Sequence, residues 1–307
     1  MTLLINSFII IVTILGLWGG AHFVVESASK IAKKLGLSEL VIGLTIVAFA
    51  TSAPEFAVTV SAAMANKMAI SVGNVVGSNI FNLGIILGFV AIFGKIKTNR
   101  TLLYRDGSAL VITGIILLFF FRDLVLSSFE GIILVTLLVG YVIVLMRSKV
   151  DLDEEIPEGN FNWFDFPILI AGVLTIIGSA HFLVNSASNI ARQFGVSEWM
   201  IGITIVASGT SVPEFVTSLV ALFKGKYGLS MGNLIGSDIF NMLGVLGIAS
   251  IIRPLTILQN DFYSLIILVV YLIFLFVFMR IGWRITKFEG LIIVFIAIFR
   301  WWIVTVL

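Results

Sequence analysis

The second half of this chain is a copy of the first. From Ala21 to Leu83 every residue has a counterpart 159 positions further on, without a gap, and roughly half of the pairs are identical. His22 aligns with His181, Glu55 with Glu214 and Asn82 with Asn241. Shared Leu/Ile/Val composition does not produce matching Thr-Ser-x-Pro-Glu and Gly-Asn-x-x-Gly-Ser strings in one register.

What is repeated is apolar. The 307 residues have a mean hydropathy of +1.15 and only 12% are charged. The apolar runs reach the ~20 residues a helix needs to cross a bilayer. Short alternating segments of an outer-membrane barrel are missing. The expected fold is therefore all-α, a polytopic membrane protein. Runs between polar breaks give ten spans, near residues 4–32, 40–65, 69–94, 102–121, 124–146, 164–192, 199–223, 228–252, 258–279 and 285–306. One polar linker, 147–163, carries Asp151-Leu152-Asp153-Glu154-Glu155 and reads as a solvated loop. It separates a first repeat, 1–146, from a second, 164–307, with five spans each. Five is odd, so the second copy enters the membrane from the opposite side, which makes an inverted-topology repeat of the kind found in secondary transporters.

Lysine and arginine in alternate loops set the orientation. One side collects Lys30, Lys33, Lys34, Lys95, Lys97, Arg100, Arg105, Arg147, Lys149, Lys224, Lys226, Arg280, Arg284 and Lys287; the other has only Lys67, Arg122, Arg192, Arg253 and Arg300. The richer side is expected to be cytoplasmic, with both termini outside and the acidic linker inside. Met1 to Ser7 has no positive residue ahead of its apolar run, so it reads as the start of the first span rather than a cleaved signal. Cysteine is absent, which excludes a disulfide framework and thiolate metal sites. A net charge of +2 with no basic run gives no sign of a nucleic-acid partner. No obligate protein partner and no cofactor are indicated; the lipid bilayer is the surrounding phase.

Glu55 and Glu214 fall near the middle of spans 2 and 7, where a carboxylate costs several kcal/mol and signals function. Pro54 and Pro213 precede them, and each breaks the helix and frees the carbonyl four residues earlier, that of Ala50 or Gly209. Irregular backbone at this depth is tolerated only inside protein or beside a wet cavity. The second motif is Gly73-Asn74-Val75-Val76-Gly77-Ser78-Asn79-Ile80-Phe81-Asn82, repeated as Gly232-Asn233-Leu234-Ile235-Gly236-Ser237-Asp238-Ile239-Phe240-Asn241. Ser78 and Asn82 share a helical face, as do Ser237 and Asn241. The Gly-x-x-x-Gly pairs read as ordinary helix packing. Carboxylates, hydroxyls, amide oxygens and freed carbonyls form an all-oxygen set suited to hard cations, and two carboxylates balance one divalent ion or about two monovalent ions.

These strings resemble the two alpha repeats of the cation/calcium exchanger superfamily, and among its branches the prokaryotic sodium/calcium exchangers. The motifs cover spans 2–3 and 7–8, and the five-plus-five pattern extends the likeness over the whole chain. The resemblance implies a midplane site in which Glu55 and Glu214 are the shared anionic ligands for Ca²⁺ and Na⁺. It implies side-chain oxygens from Ser52, Ser78, Ser211 and Ser237, and backbone carbonyls from Ala48, Thr51, Ala207 and Thr210. Asn82 and Asn241 border the central position. It further implies that spans 1 and 6 slide across the remaining core, in a prokaryotic plasma membrane. Asn241 stands where potassium-dependent members have an acid, which argues against potassium coupling. Proton-coupled members carry a glutamate where Gly77 and Gly236 stand, which favours sodium.

The expected function is a secondary antiporter exchanging Na⁺ for Ca²⁺, not an enzyme. The alternative is H⁺/Ca²⁺ exchange at the same glutamates; a cation channel or an intramembrane hydrolase has less support, since no filter loop, H-E-x-x-H or G-x-S-x-G motif is present. Asp238, opposite Asn79, has two readings: a partner of the ion ligands, or an interhelical hydrogen bond. His22 and His181 read as interhelical hydrogen bonds, Glu26 as a snorkelling or cap-region charge, and Ser38 and Ser197 as helix N-caps. Trp163, Trp199, Trp301 and Trp302 fit an aromatic belt.

Overall fold

The computed structural model describes residues 2–94, 96–148 and 160–306. The acidic run Asp151 to Glu155 lies outside the described residues, as do the side chains of Trp199, Trp301 and Trp302; Trp163 is exposed.

In hydrocarbon a backbone must satisfy its own hydrogen bonds, and the described chain is accordingly almost all helix. In order, the helices are α1 (Thr2–Leu35), α2 (Glu39–Thr51), α3 (Ala53–Met64), α4 (Met68–Phe93), α5 (Leu102–Asp123) and α6 (Ser128–Arg147). The second half continues with α7 (Asp165–Gln193), α8 (198–209), α9 (Val212–Phe223), α10 (Tyr227–Ile252), α11 (Gln259–Arg280) and α12 (Lys287–Val306). Among the described residues seven helices are each long and apolar enough to cross a membrane, and α2 with α3 makes an eighth if that pair, bent by 48°, is one span.

The breaks fall at the proline motifs. Ser52 (φ −80°, ψ 7°) separates α2 from α3, and Ser211 (φ −89°, ψ 5°) precedes α9. Pro54 and Pro213 lie in the first turn of the following helix, where the missing N–H has no bond to lose. Ser38 caps α2 by accepting from the Val41 N–H at 3.2 Å, and Ser197 accepts from Met200 at 3.3 Å. Repeat-related capping boxes start α6 and α12: Ser127 and Glu130 exchange hydrogen bonds, and so do Thr286 and Glu289. Wide turns, in which each N–H reaches back five residues, also sit at matched places, Gly43–Val47 with Gly202–Val206 and Phe81–Ile86 with Phe240–Val245. Such turns recur at functional sites, and here they flank Ala48 and Ala207 and contain Asn82 and Asn241.

Two short ladders join loops of opposite halves: β1 (Ile96–Lys97) pairs antiparallel with β4 (Arg284–Ile285), and β2 (Val125–Leu126) with β3 (Leu255–Thr256). Helices also pack across the halves. α1 lies along α7, with Gly20 and Gly172 at backbone contact, since an added Cβ at either would be 2.9 Å from the other's carbonyl oxygen. Small residues permit such approach where lipid gives no hydrophobic drive. α12 packs on α4, and α6 on α10.

Beside an apolar core, burial departs from that of a water-soluble protein at the rim and at the centre. Leu4, Phe8, Ile11 and Leu15 of α1 face outward, whereas Ser52, Glu55, Asn82, Ser211, Glu214, Asp238 and Asn241 have no exposed surface at all. An apolar rim around a polar centre is what a bilayer selects. The histidines meet expectation in the first half only. Both are exposed; His22 hydrogen-bonds Lys224 at the end of α9 (3.4 Å), whereas His181 bonds Asn185 one turn along α7 itself (2.9 Å). Glu26 is paired with Lys224 at 2.5 Å.

Candidate functional site

The two proline breaks meet at the centre of the molecule, and each carboxylate is held from the opposite half. Ser52 Oγ donates to Glu214 Oε1 (3.1 Å), and Ser211 Oγ donates to Glu55 Oε1 (3.0 Å). The break makes this exchange geometrically available, because a serine three residues ahead of its own glutamate on an unbroken helix would share that glutamate's face. Asn74 Nδ2 donates to the Glu55 carbonyl (3.3 Å) and Asn233 Nδ2 to that of Glu214 (3.3 Å), tying the start of α3 to α4 and that of α9 to α10.

Around this pair the amides are pinned by their nitrogens. Asn82 Nδ2 donates to Asp238 Oδ1 (2.9 Å), and Asn241 Nδ2 donates to Asn79 Oδ1 (3.2 Å). In consequence one oxygen of each of Glu55, Glu214, Asp238, Asn82 and Asn241 is buried without a hydrogen-bond donor. Native proteins seldom leave buried acceptors unpaired, because each costs roughly 1–3 kcal/mol. These oxygens are of the type hard cations take: carboxylates and amides, with no imidazole or thiolate among them. Among the described residues no group of three His, Cys, Asp or Glu is clustered tightly enough to be a metal centre by itself, so amides and hydroxyls have to complete the shell.

The remaining expected ligands divide by half. Thr51, Ser237 and Ala48 are brought together and buried: Thr51 Oγ1 donates to Asn233 Oδ1 (3.0 Å), and Ser237 Oγ reaches the Ala48 carbonyl at 3.5 Å. Their repeat mates are not. Ser78 bonds back to Val75 in its own helix (3.1 Å), Thr210 Oγ1 is buried without a partner, and Ala207 is exposed. Between α4 and α8 lies a cavity of about 80 Å³, lined by Asn74, Gly77, Ser78, Ala207, Ser208 and Arg300 among others.

The reading of the glycines as helix packing holds at Gly232 and Gly236, which press on α2. Gly43 touches α10, where an added Cβ would lie 2.7 Å from the Leu229 carbonyl oxygen, and one at Gly236 would lie 2.6 Å from Leu44 Cα. At Gly73 and Gly77, which line the cavity, nothing comes within 4 Å among the described residues. The closed face carries an ionic tie as well: Lys226 donates to Glu39 (2.9 Å) and to Ser29 (2.6 Å), and Ser29 donates to Glu39. At the open face the mate of Ser29, Ser188, has a buried hydroxyl with no partner, and the mate of Lys226, Lys67, is exposed.

Asp238 was legible only as an acid without a mate; in the structure it orients Asn82. Asp238→Ala is expected to raise the half-saturating Ca²⁺ concentration about 10–100-fold, as loss of a partner behind a metal ligand does. Asp238→Asn retains an acceptor for Asn82 and is expected to stay within about tenfold of wild type. Calcium titrations of the two variants check this. Arg300 had no sequence signal, since it belongs to no repeated string; the wide turns lie within the repeat, but nothing in their residue types marks the wider turn.

The family model described as sodium/calcium exchanger protein matches residues 5–147 and 164–306. The chain is 30% identical to sodium/calcium exchanger MaX1 of Methanosarcina acetivorans, over 94% of this chain and 95% of that protein. It is 29% identical to inner membrane protein YrbG of Escherichia coli, over 82% and 81% of the two. Among solved structures it resembles the sodium-calcium exchanger NCX_Mj, in crystals soaked with Na⁺ and Sr²⁺, with a TM-score of 0.84 and 27% identity over 97% of this chain and 98% of that one.

Proposed function

The chain belongs to the sodium/calcium exchanger protein family, and on that premise we propose that this membrane antiporter exchanges Na⁺ for Ca²⁺ at a site between Glu55 and Glu214. The observation that carries the reading is the set of unpaired buried oxygens on Glu55, Glu214, Asn82 and Asn241. Ca²⁺ takes six to eight oxygens; these four with Ser52, Ser211, Ser237 and the carbonyls of Ala48 and Thr51 offer nine, enough to fill such a shell. Ser78, Thr210 and Ala207 supply their counterparts at the open cavity. Two carboxylates match the charge of one Ca²⁺ or two Na⁺, so the same cage serves either ion in turn.

Ten spans, five per half and inverted, account for the repeat-related breaks, capping boxes and strand pairs. With the lysine- and arginine-rich side cytoplasmic, both termini and the cavity beside Ala207 face outside, and the linker and the Lys226–Glu39 tie face the cytoplasm of a prokaryotic cell. α1 and α7, joined at Gly20 and Gly172, form the unit that slides to expose the site alternately. Bare carboxylates are too costly to carry through a closed core, so the slide requires bound cations.

Proteoliposomes loaded with Na⁺ are expected to accumulate Ca²⁺ when diluted into sodium-free buffer. Uptake driven by a pH gradient without sodium would instead establish proton coupling. A second assay addresses the closed face. The chain has no native cysteine, so Ser208→Cys reports on the open cavity alone. Adding Lys226→Met should free the cytoplasmic face and slow labelling of that cysteine by a membrane-impermeant maleimide. An unchanged labelling rate would show that the tie does not hold the conformation.

A further inference from the structure

Arg300 of α12 lies among the residues that line the open cavity, with Asn74, Ser78, Ala207 and Ser208. Its Nε is buried without a hydrogen-bond partner, and no acidic side chain lines that cavity among the described residues. One turn earlier, Ala297 packs against Gly84 of α4, the helix that carries Ser78 and Asn82. An arginine at this depth is costly unless it serves a purpose, and here it stands beside the way to a cation site. The repeat mate of Arg300 is Tyr141, whose hydroxyl donates to Asp106 at 2.9 Å. The fixed positive charge therefore belongs to one face of the molecule only.

Resting on the exchange of Na⁺ for Ca²⁺ proposed above, we propose that Arg300 is a selectivity residue that weakens Ca²⁺ relative to Na⁺ at the open face. The reason is Coulombic. A unit positive charge raises the energy of a divalent ion at a given point by twice as much as that of a monovalent ion. A site that must release Ca²⁺ and load Na⁺ on one side gains from such a charge on that side and not on the other. The doubling gives a signature that packing or folding defects do not imitate. Removing the charge should shift the logarithm of the Ca²⁺ dissociation constant by twice the shift for Na⁺, so a threefold tightening for Na⁺ accompanies one of about ninefold for Ca²⁺.

Equilibrium binding of radioactive calcium and sodium to the purified full-length protein tests this, with Arg300→Gln and Arg300→Lys each compared with wild type. Arg300→Gln should tighten both ions with the two-to-one logarithmic ratio. Arg300→Lys keeps the charge and should remain within about twofold of wild type. Equal shifts for the two ions, no shift, or a lysine variant that behaves like the glutamine variant would overturn the role of Arg300. A wild-type protein that binds neither ion would instead overturn the exchange reading itself, so the two failures are told apart.

Discussion

Glu55→Gln and Glu214→Gln are each expected to abolish calcium exchange while leaving a folded protein. Glutamine keeps the carbonyl oxygen that accepts the bond from Ser211 or Ser52, so the tie between the halves survives. It removes the negative charge whose second oxygen is buried and unpaired. Breaking a buried ionic partnership costs about 3–5 kcal/mol, a loss of two orders of magnitude or more in ion affinity. In ion-free buffer the variants should melt no lower than wild type, because two buried carboxylates repel and one is gone. What they should lose is stabilisation by calcium, about 2.7 kcal/mol at a concentration 100 times the dissociation constant. Thermal unfolding with and without Ca²⁺, beside vesicle uptake, checks both statements. Full exchange in either variant would rule out a single shared site.

Valine at two equivalent glycines should separate folding from transport. At Gly236 an added Cβ meets the Leu44 Cα and carbonyl oxygen, both at 2.6 Å. Both are backbone atoms, so no rotamer change relieves the clash and α2 has to move off α10. Gly236→Val should therefore cost at least the ~1–3 kcal/mol of ordinary overpacking. Gly77 is its repeat mate and has nothing within 4 Å among the described residues. Gly77→Val should leave the melting temperature within the equivalent of about 0.5 kcal/mol of wild type, yet reduce exchange, as the proposed alternation requires α8 to close onto this face. Melting temperatures and uptake rates measured on both variants give the comparison. Undiminished exchange by Gly77→Val would mean that α8 never closes there.

The fold and the carboxylate centre were legible because their causes are local. Apolar runs of sufficient length require helices, and Pro54 and Pro213 require breaks beside Glu55 and Glu214. Serine and asparagine at matched depth required only helical geometry and the repeat. Asp238 remained ambiguous because its role depends on which way the Asn82 amide turns, a matter of the opposing helix. His181 departed from expectation for a similar reason: a repeated polar residue on a helix does not say what its face meets, and His181 bonds Asn185 of its own helix while His22 bonds Lys224 beyond α9. Arg300 carried no pattern, and only its place beside the cavity gives it significance.

By itself the sequence determined a helical membrane protein made of two copies, with a carboxylate, hydroxyls and an amide set at one depth in each. It treated the copies as equivalent, since a repeat read along the chain is symmetric. Only the tertiary structure decided that they are not equivalent in place: among the described residues Gly236 is pressed on Leu44 while nothing meets Gly77, and Thr51 is bonded while Thr210 Oγ1 has no partner. The physical reason is that two like halves cannot both close on one site and leave a way in. One contact set has to be made while its counterpart is open, and that choice resides in packing between the halves rather than in the residues of either.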